Sequence, residues 1–141
     1  MKTQKTQKIH EKHGSQEAVV YPHSDTTEKI IGCAIEVHKT LGPGFKESAY
    51  ENALVRELEE LGFKIERQKP ITIRYKGAMV GRHRLDLVVD DMIVIELKCA
   101  KVFSVEDGKR LISYLKAAKK RIGLLINFAR STVVVKRFIV G

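Results

Sequence analysis

Two adjacent apolar runs, Arg84-Leu85-Asp86-Leu87-Val88-Val89 and Met92-Ile93-Val94-Ile95-Glu96-Leu97-Lys98-Cys99, each carry charge in their interior and are separated by Asp90-Asp91. Runs this rich in Val, Ile and Leu read as half- or fully buried strands, and the Asp-Asp pair reads as the turn of a hairpin. Withdrawing an unpaired carboxylate or ammonium from water is costly, so Asp86, Glu96 and Lys98 need partners. Side chains two apart on a strand share a face, and Glu96 and Lys98 therefore project together. Whether Asp86 joins them depends on one residue of register. A two-residue loop pairs Val89 with Met92 and Asp86 with Ile95, which sends Asp86 away from Glu96. An odd loop or a bulge pairs Asp86 with Glu96 and places both carboxylates on one face.

The odd register makes a site for a hard cation. Mg²⁺ or Mn²⁺ takes carboxylate, carbonyl and water oxygens, so Asp86, Glu96 and the Leu97 carbonyl form a candidate metal set. Such a cation polarises a phosphodiester and acidifies a water, and Lys98 stands where it orients that water or offsets charge on the phosphate. Asp86, Glu96 and Lys98 are thus the catalytic candidates, and the chemistry is phosphodiester hydrolysis. Against this, an E-x-K triplet recurs by chance in a chain with so many Glu and Lys. Charged residues also guard sheet edges, and Asp-Asp makes a good turn without any function.

The charge distribution points the same way. The net charge of the 141-residue chain is +9, yet residues 1–107 balance 17 Lys and Arg against 17 Asp and Glu. The excess lies in residues 108–141, which carry nine basic side chains and no acid. A block of one sign is a footprint for nucleic acid, with Lys109, Arg110, Lys116, Lys119 and Lys120 as the candidate contacts; the plainer reading is a solvated basic face. No apolar stretch nears the roughly 18 residues that span a bilayer, and the basic N-terminus lacks the apolar core of a signal peptide. The expectation is a cytoplasmic protein without membrane contact. Two cysteines, Cys33 and Cys99, cannot supply a four-thiolate site and are expected as small buried apolar groups.

Along the chain, residues 1–24 read as a flexible basic tail and 25–141 as one domain. A helix is expected over 25–41, capped by Asp25 with Glu28, with His38 as a hydrogen-bonded core histidine. Gly42-Pro43-Gly44 turns the chain into a second helix over 45–61. Strands follow over 63–75, with Pro70 as a local break, then over 80–89 and 92–99. A third helix over 105–120 is capped by Ser104 with Asp107, and strands over 122–128 and 132–140 end the chain. The order implies an α/β fold, a central mixed β-sheet flanked by α-helices.

Asp86…Glu96-Leu97-Lys98, with a helix before it and a basic helix after it, resembles the signature of the PD-(D/E)xK nuclease superfamily. Gly44-Phe45-Lys46-Glu47-Ser48-Ala49-Tyr50 resembles the motif of the GxxExxY family within it, as do Glu66-Arg67-Gln68-Lys69-Pro70-Ile71 and Gly123-Leu124-Leu125-Ile126-Asn127-Phe128. The likeness covers about residues 26–140. It implies a restriction-endonuclease-like core and a Mg²⁺- or Mn²⁺-dependent nuclease acting on DNA, for which a homodimer suits cutting both strands. It also implies Glu47 as a further metal ligand, direct or through water, and Tyr50 as a neighbour of Glu47 or the substrate. The plainer readings are a first-turn carboxylate favoured by the helix dipole and a core tyrosine with its hydroxyl at the rim. Arg110 stands where the family more often has Gln and offers a fork for a scissile phosphate. Leu85 takes the place of the signature proline. The alternative function is a nucleic-acid-binding module that keeps the fold without turnover.

Overall fold

The computed structural model describes residues 5–9 and 23–141. Strand β1 (Lys5–Ile9) is followed by helices α1 (Ser24–Leu41) and α2 (Glu47–Glu60), then strands β2 (Ile65–Tyr75), β3 (Ala78–Val89) and β4 (Ile93–Lys98). Helix α3 (Val105–Ala118) then leads into strands β5 (Ile122–Asn127) and β6 (Val134–Ile139). The six strands form one sheet in the order β1-β6-β5-β4-β3-β2, antiparallel except between β4 and β5, which α3 connects. On one face Ile30, Ala34, Leu54 and Leu58 of α1 and α2 pack on Leu87, Ile93, Ile95 and Leu124. On the other, Leu111 and Leu115 of α3 pack on Val88, Val94 and Leu125. Because β4 and β5 are covered on both faces, they are apolar almost throughout, and a charge within β4 has no route to water except at its end.

The expected order of elements holds, with local departures. Lys5–Ile9, inside the segment read as a tail, pairs with β6 along the sheet edge; the remainder of residues 1–22 lies outside the described residues. Asp25 does not cap α1: His23 occupies the cap position with φ 56° and no side-chain bond, so Asp25 sits in the first turn. Pro70 does not interrupt β2, which is an edge strand, the place in a sheet where proline is tolerated. The capping box of α3 forms as expected, with Asp107 N–H donating to Ser104 Oγ at 3.1 Å and Ser104 N–H donating to Asp107 Oδ2 at 2.9 Å. Helix α3 comes close to the sheet at two glycines. A Cβ on Gly108 would lie 2.8 Å from the Phe138 ring, and one on Gly123 would lie 3.1 Å from Leu111 and Leu115. Among the described residues no helix is long and apolar enough to cross a membrane.

The β3–β4 hairpin takes the odd register. Val89 pairs with Ile93, Val88 with Val94 and Leu87 with Ile95, so three residues separate the strands and the next pair in step is Asp86 and Glu96. Asp90 and Asp91 both have positive φ, 51° and 56°, and Met92 N–H closes the turn on Val89 O at 3.0 Å. That is the geometry of a type I′ turn, which Asp tolerates better than most side chains, and Met92 is the extra residue that shifts the register. The turn is tied down from two sides. Asp90 N–H donates to Lys64 O at 2.8 Å and Asp90 Oδ1 accepts Lys64 N–H at 2.8 Å, while Lys120 Nζ donates to Asp91 O at 2.8 Å.

The turn between α1 and α2 is held by Tyr50. Its ring is fully buried and stacks on Phe128 at 4.6 Å, and His38 also stacks on Phe128, at 6.2 Å. Its hydroxyl donates to Gly42 O at 2.6 Å and accepts Phe45 N–H at 3.1 Å. Gly44, with φ 115°, takes a backbone shape that other residues avoid, and the chain then enters α2 at Glu47. His38 Nε2 lies 2.8 Å from Arg130 O, as befits a satisfied core histidine. Tyr50→Phe leaves the Gly42 carbonyl and the Phe45 N–H without their partner, and the expected loss is about 1–3 kcal/mol in a denaturant melt. A change within experimental error would show that the hydroxyl does not hold the turn.

Candidate active site

Beyond Leu87 and Ile95 the ladder between β3 and β4 stops. On the other side of β3, Arg67 pairs with Leu87 and Lys69 with Leu85, but Gln68, with φ 50°, is skipped, so Asp86 has no ladder partner there either. The freed groups are taken by side chains. Asp86 N–H donates to Glu96 Oε2 at 3.1 Å, and Leu97 N–H donates to Asp86 Oδ2 at 2.8 Å. Each carboxylate thus caps the other strand's backbone at the point where the strands part, and the two acids face each other across the gap.

This closeness has an electrostatic cost. Burial first, and the Asp86 charge second, push the Glu96 carboxyl up to about 8. Lys98 follows on the same face of β4, yet its Nζ lies 3.5 Å from Asp107 Oδ1 at the start of α3. Burial works to raise the Asp107 carboxyl, but the Ser104 N–H and Lys98 prevail and hold it below its ordinary value. Arg110 Nη1 lies 3.4 Å from the same Asp107 oxygen. The two cations therefore rest on Asp107, and Glu96 meets its crowding with Asp86 by holding its proton.

Glu47 opens α2 and is brought towards this end of the sheet by the Tyr50 clasp. Burial first, then the Asp86 charge, raise its carboxyl, while Lys98 and the Cys99 N–H pull it down. Among the described residues no three His, Cys, Asp or Glu side chains form a group that could hold a metal ion. Tyr50 is fully buried, and its hydroxyl is engaged within the α1–α2 turn.

The segment leaving β4 is fixed by Asn127, whose side chain accepts Ala100 N–H at 3.2 Å and donates to Ala100 O at 2.7 Å. Phe128 N–H donates to Lys98 O at 3.0 Å. The sequence reading assigned no role to Asn127, nor to His83. The His83 ring stacks on Tyr114 of α3 at 3.6 Å, and its Nε2 lies 3.9 Å from Glu96 Oε2. Burial lowers the His83 pKa, opposed by the Asp86 charge. His83 is three residues from Asp86, which in a regular strand would place it on the opposite face; the break in β3 at Asp86 brings them together.

The basic block does not form one face. Arg110 is at the site, and Lys109 is exposed beside it on α3. Lys116 is exposed two turns further along, and Lys119 forms the far cap of the helix, about 21 Å from its start at 1.5 Å per residue. Lys120 is paired with Asp91 at 2.9 Å, at the opposite end of β4 from Lys98. Arg137 is buried and donates to Thr27 Oγ1 at 2.9 Å. Counting charges along the chain merged groups that the fold separates.

A mixed sheet between helices, with a carboxylate pair where two strands part and a lysine two residues on, is a restriction-endonuclease-like α/β domain. The chain belongs to the PD-(D/E)XK nuclease superfamily, whose pattern matches residues 24–138. Nucleases of that superfamily generally use divalent metals. The crystal structure of SSO0001 is similar at 16% identity, over 89% of this chain and 68% of that one, with a TM-score of 0.44. No curated protein matches the chain.

The electrostatics of the pair set a pH dependence. The folded Glu96 carboxyl titrates near 8 against an ordinary value of 4.5, so the folded state binds its proton more tightly than the unfolded chain. Its contribution to stability is present below about pH 4.5 and is lost as pH rises towards 8. Thermal melts in EDTA should fall across that window, and Glu96→Gln should flatten the fall. Equal slopes for parent and variant would refute this account of the pair.

Proposed function

We propose that the chain is a divalent-metal-dependent nuclease of the GxxExxY group that hydrolyses phosphodiester bonds in DNA. The observation that carries this reading is the odd hairpin register, which sets Asp86 and Glu96 face to face with Lys98 two residues on. The donor set suits Mg²⁺ or Mn²⁺: two hard carboxylates crowd each other with their nearest cation turned to Asp107. Mg²⁺ is commonly held by one or two carboxylates with waters and substrate phosphate completing the shell, so two acids without a third are sufficient. Asp86, Glu96 and the Leu97 carbonyl would hold the ion, with Glu47 joining through water. When bound, the ion supplies a Lewis acid for the phosphodiester and a more acidic water.

The chain's own residues do the rest. Lys98 exchanges Asp107 for the attacking water or a phosphate oxygen, and its charge offsets the negative charge that grows in the transition state. Arg110, half-exposed beside it, takes a phosphate oxygen pair as a fork. Lys109 and Lys116 extend the contact along the exposed side of α3, and a homodimer would present two such sites to a duplex. A second reading, a binding module without turnover, draws on one observation: Lys98 and Arg110 both rest on Asp107.

Cleavage of labelled single- and double-stranded DNA and RNA with Mg²⁺ or Mn²⁺, against EDTA, decides between them. Asp86→Ala and Lys98→Ala should each cut about a hundredfold more slowly, or worse, with the fold intact by circular dichroism. Binding without cutting under every metal would establish the module, and variants that cut as well as the parent would place the chemistry elsewhere.

A further inference from the structure

From Ala78 to Leu85, strand β3 pairs with β2 alone among the described residues, because β4 begins to pair only at Leu87. The β2–β3 hairpin therefore runs past the sheet as a two-stranded ribbon. At about 3.4 Å per residue, the eight steps from Asp86 to Ala78 span roughly 27 Å. Residues 74–80 at its end are all exposed, including Tyr75 at 62%, Met79 at 50% and Val80 at 61%.

Its charge is of one sign. Residues 67–85 contain six Lys and Arg and no Asp or Glu. Near the sheet Arg67 is committed to Glu51, and Lys69 to Glu66 at 2.9 Å. Further out, Arg74, Lys76, Arg82 and Arg84 are exposed and form no ion pair among the described residues. The two faces of the ribbon differ. Ile71, His83 and Leu85 turn towards α3, where His83 meets Tyr114. By alternation, Arg82 and Arg84 turn outward, and Arg84 is two residues from Asp86. Protection of open strand edges draws on charge, Lys above all, yet three of these four cations are Arg.

We infer that this ribbon is a docking arm for double-stranded DNA that lies in the major groove and leads one strand to Asp86 and Glu96. The inference rests on the nuclease reading and names its substrate class. Four exposed cations without a paired acid fit a polyanion. The major groove of B-form DNA admits a two-stranded ribbon, whereas that of an RNA duplex is too narrow for side chains to read. The exposed Tyr75, Met79 and Val80 supply apolar contacts of the kind that thymine methyl groups accept. The ribbon is long enough to lie along most of a helical turn, which places its base beside the reacting phosphate when its tip is seated.

The test uses the full chain in EDTA with a fluorescent 30-base-pair DNA, an RNA duplex of the same sequence and single-stranded DNA, read by anisotropy over a salt series. Arg82→Ala/Arg84→Ala and Arg74→Ala/Lys76→Ala should each weaken duplex-DNA binding tenfold or more and reduce the salt slope by about two. Lys29→Ala/Lys39→Ala, which removes the same charge from the exposed side of α1, should weaken it less than threefold. Equal losses in all three variants, or RNA duplex and single strand bound as tightly as DNA duplex, would overturn the ribbon. So would a dimer through Tyr75 and Val80, seen by light scattering, with DNA binding indifferent to the ribbon's charge. Cleavage assays separate this from the nuclease reading. A parent that binds duplex DNA through the ribbon but never cuts loses the nuclease reading and keeps the arm; one that cuts while the ribbon variants bind like the parent keeps the nuclease and loses the arm.

Discussion

The crossed pair of hydrogen bonds between Asp86 and Glu96 is the interaction on which the rest of the site depends. Each carboxylate accepts a backbone N–H from the other strand where the ladder has ended. Charge-assisted bonds of this kind are stronger than neutral ones, and they satisfy N–H groups that would otherwise go unpaired beside a covered sheet. The arrangement makes two carboxylates tolerable in strand interiors without making them comfortable. Glu96 keeps a strong preference for its proton because its neighbour is another acid and its surroundings are dry. A site that is stable enough to fold but still short of positive charge is suited to receive a cation.

What holds that pair in place comes from three directions. The turn is pinned through Asp90 to Lys64 and through Asp91 to Lys120, so the register cannot slip without breaking contacts at both. The far end of β4 is clasped to β5 by Asn127. The Tyr50–Phe128–His38 stack then joins that end of the sheet to the start of α2. Helix α3 approaches closely at Gly108 and Gly123, which brings its capping box over Lys98. The site is thus carried on packed elements, the condition under which functional side chains keep their geometry.

Much of this was legible in the sequence, and the misses share a cause. The order of elements followed from periodicity, the α3 box from Ser104 and Asp107, and the role of His38 from its apolar helix face. The hairpin was legible only as a choice of two registers. The deciding residue, Met92, reads as ordinary strand, and what makes it a loop residue is the anchoring of its neighbours by distant Lys64 and Lys120. Asp107 was visible as a cap but not as the partner of Lys98 and Arg110, since that contact crosses from strand to helix. His83 was invisible because the face it takes is set by the break at Asp86. The basic block, counted along the chain, did not show that Lys120 is turned to Asp91 at the far end of α3 from Arg110. The ribbon's charge was hidden by summing it with the acids of α2.

Charge in the site is separated in a way that favours two ligands arriving together. Asp86 and Glu96 form a negative group on the strands, while Lys98 and Arg110 form a positive group held by Asp107. A cation alone would relieve the first group and leave the second paired as before. A phosphate alone would compete with Asp107 for the cations while facing two acids nearby. A phosphodiester accompanied by a divalent cation satisfies both, because the cation offsets the acids and the phosphate takes over Lys98 and Arg110. Asp107 can release them without losing its own place, since the Ser104 N–H and hydroxyl continue to hold it. The capping box that starts α3 therefore also serves as the rest position for the site's two cations.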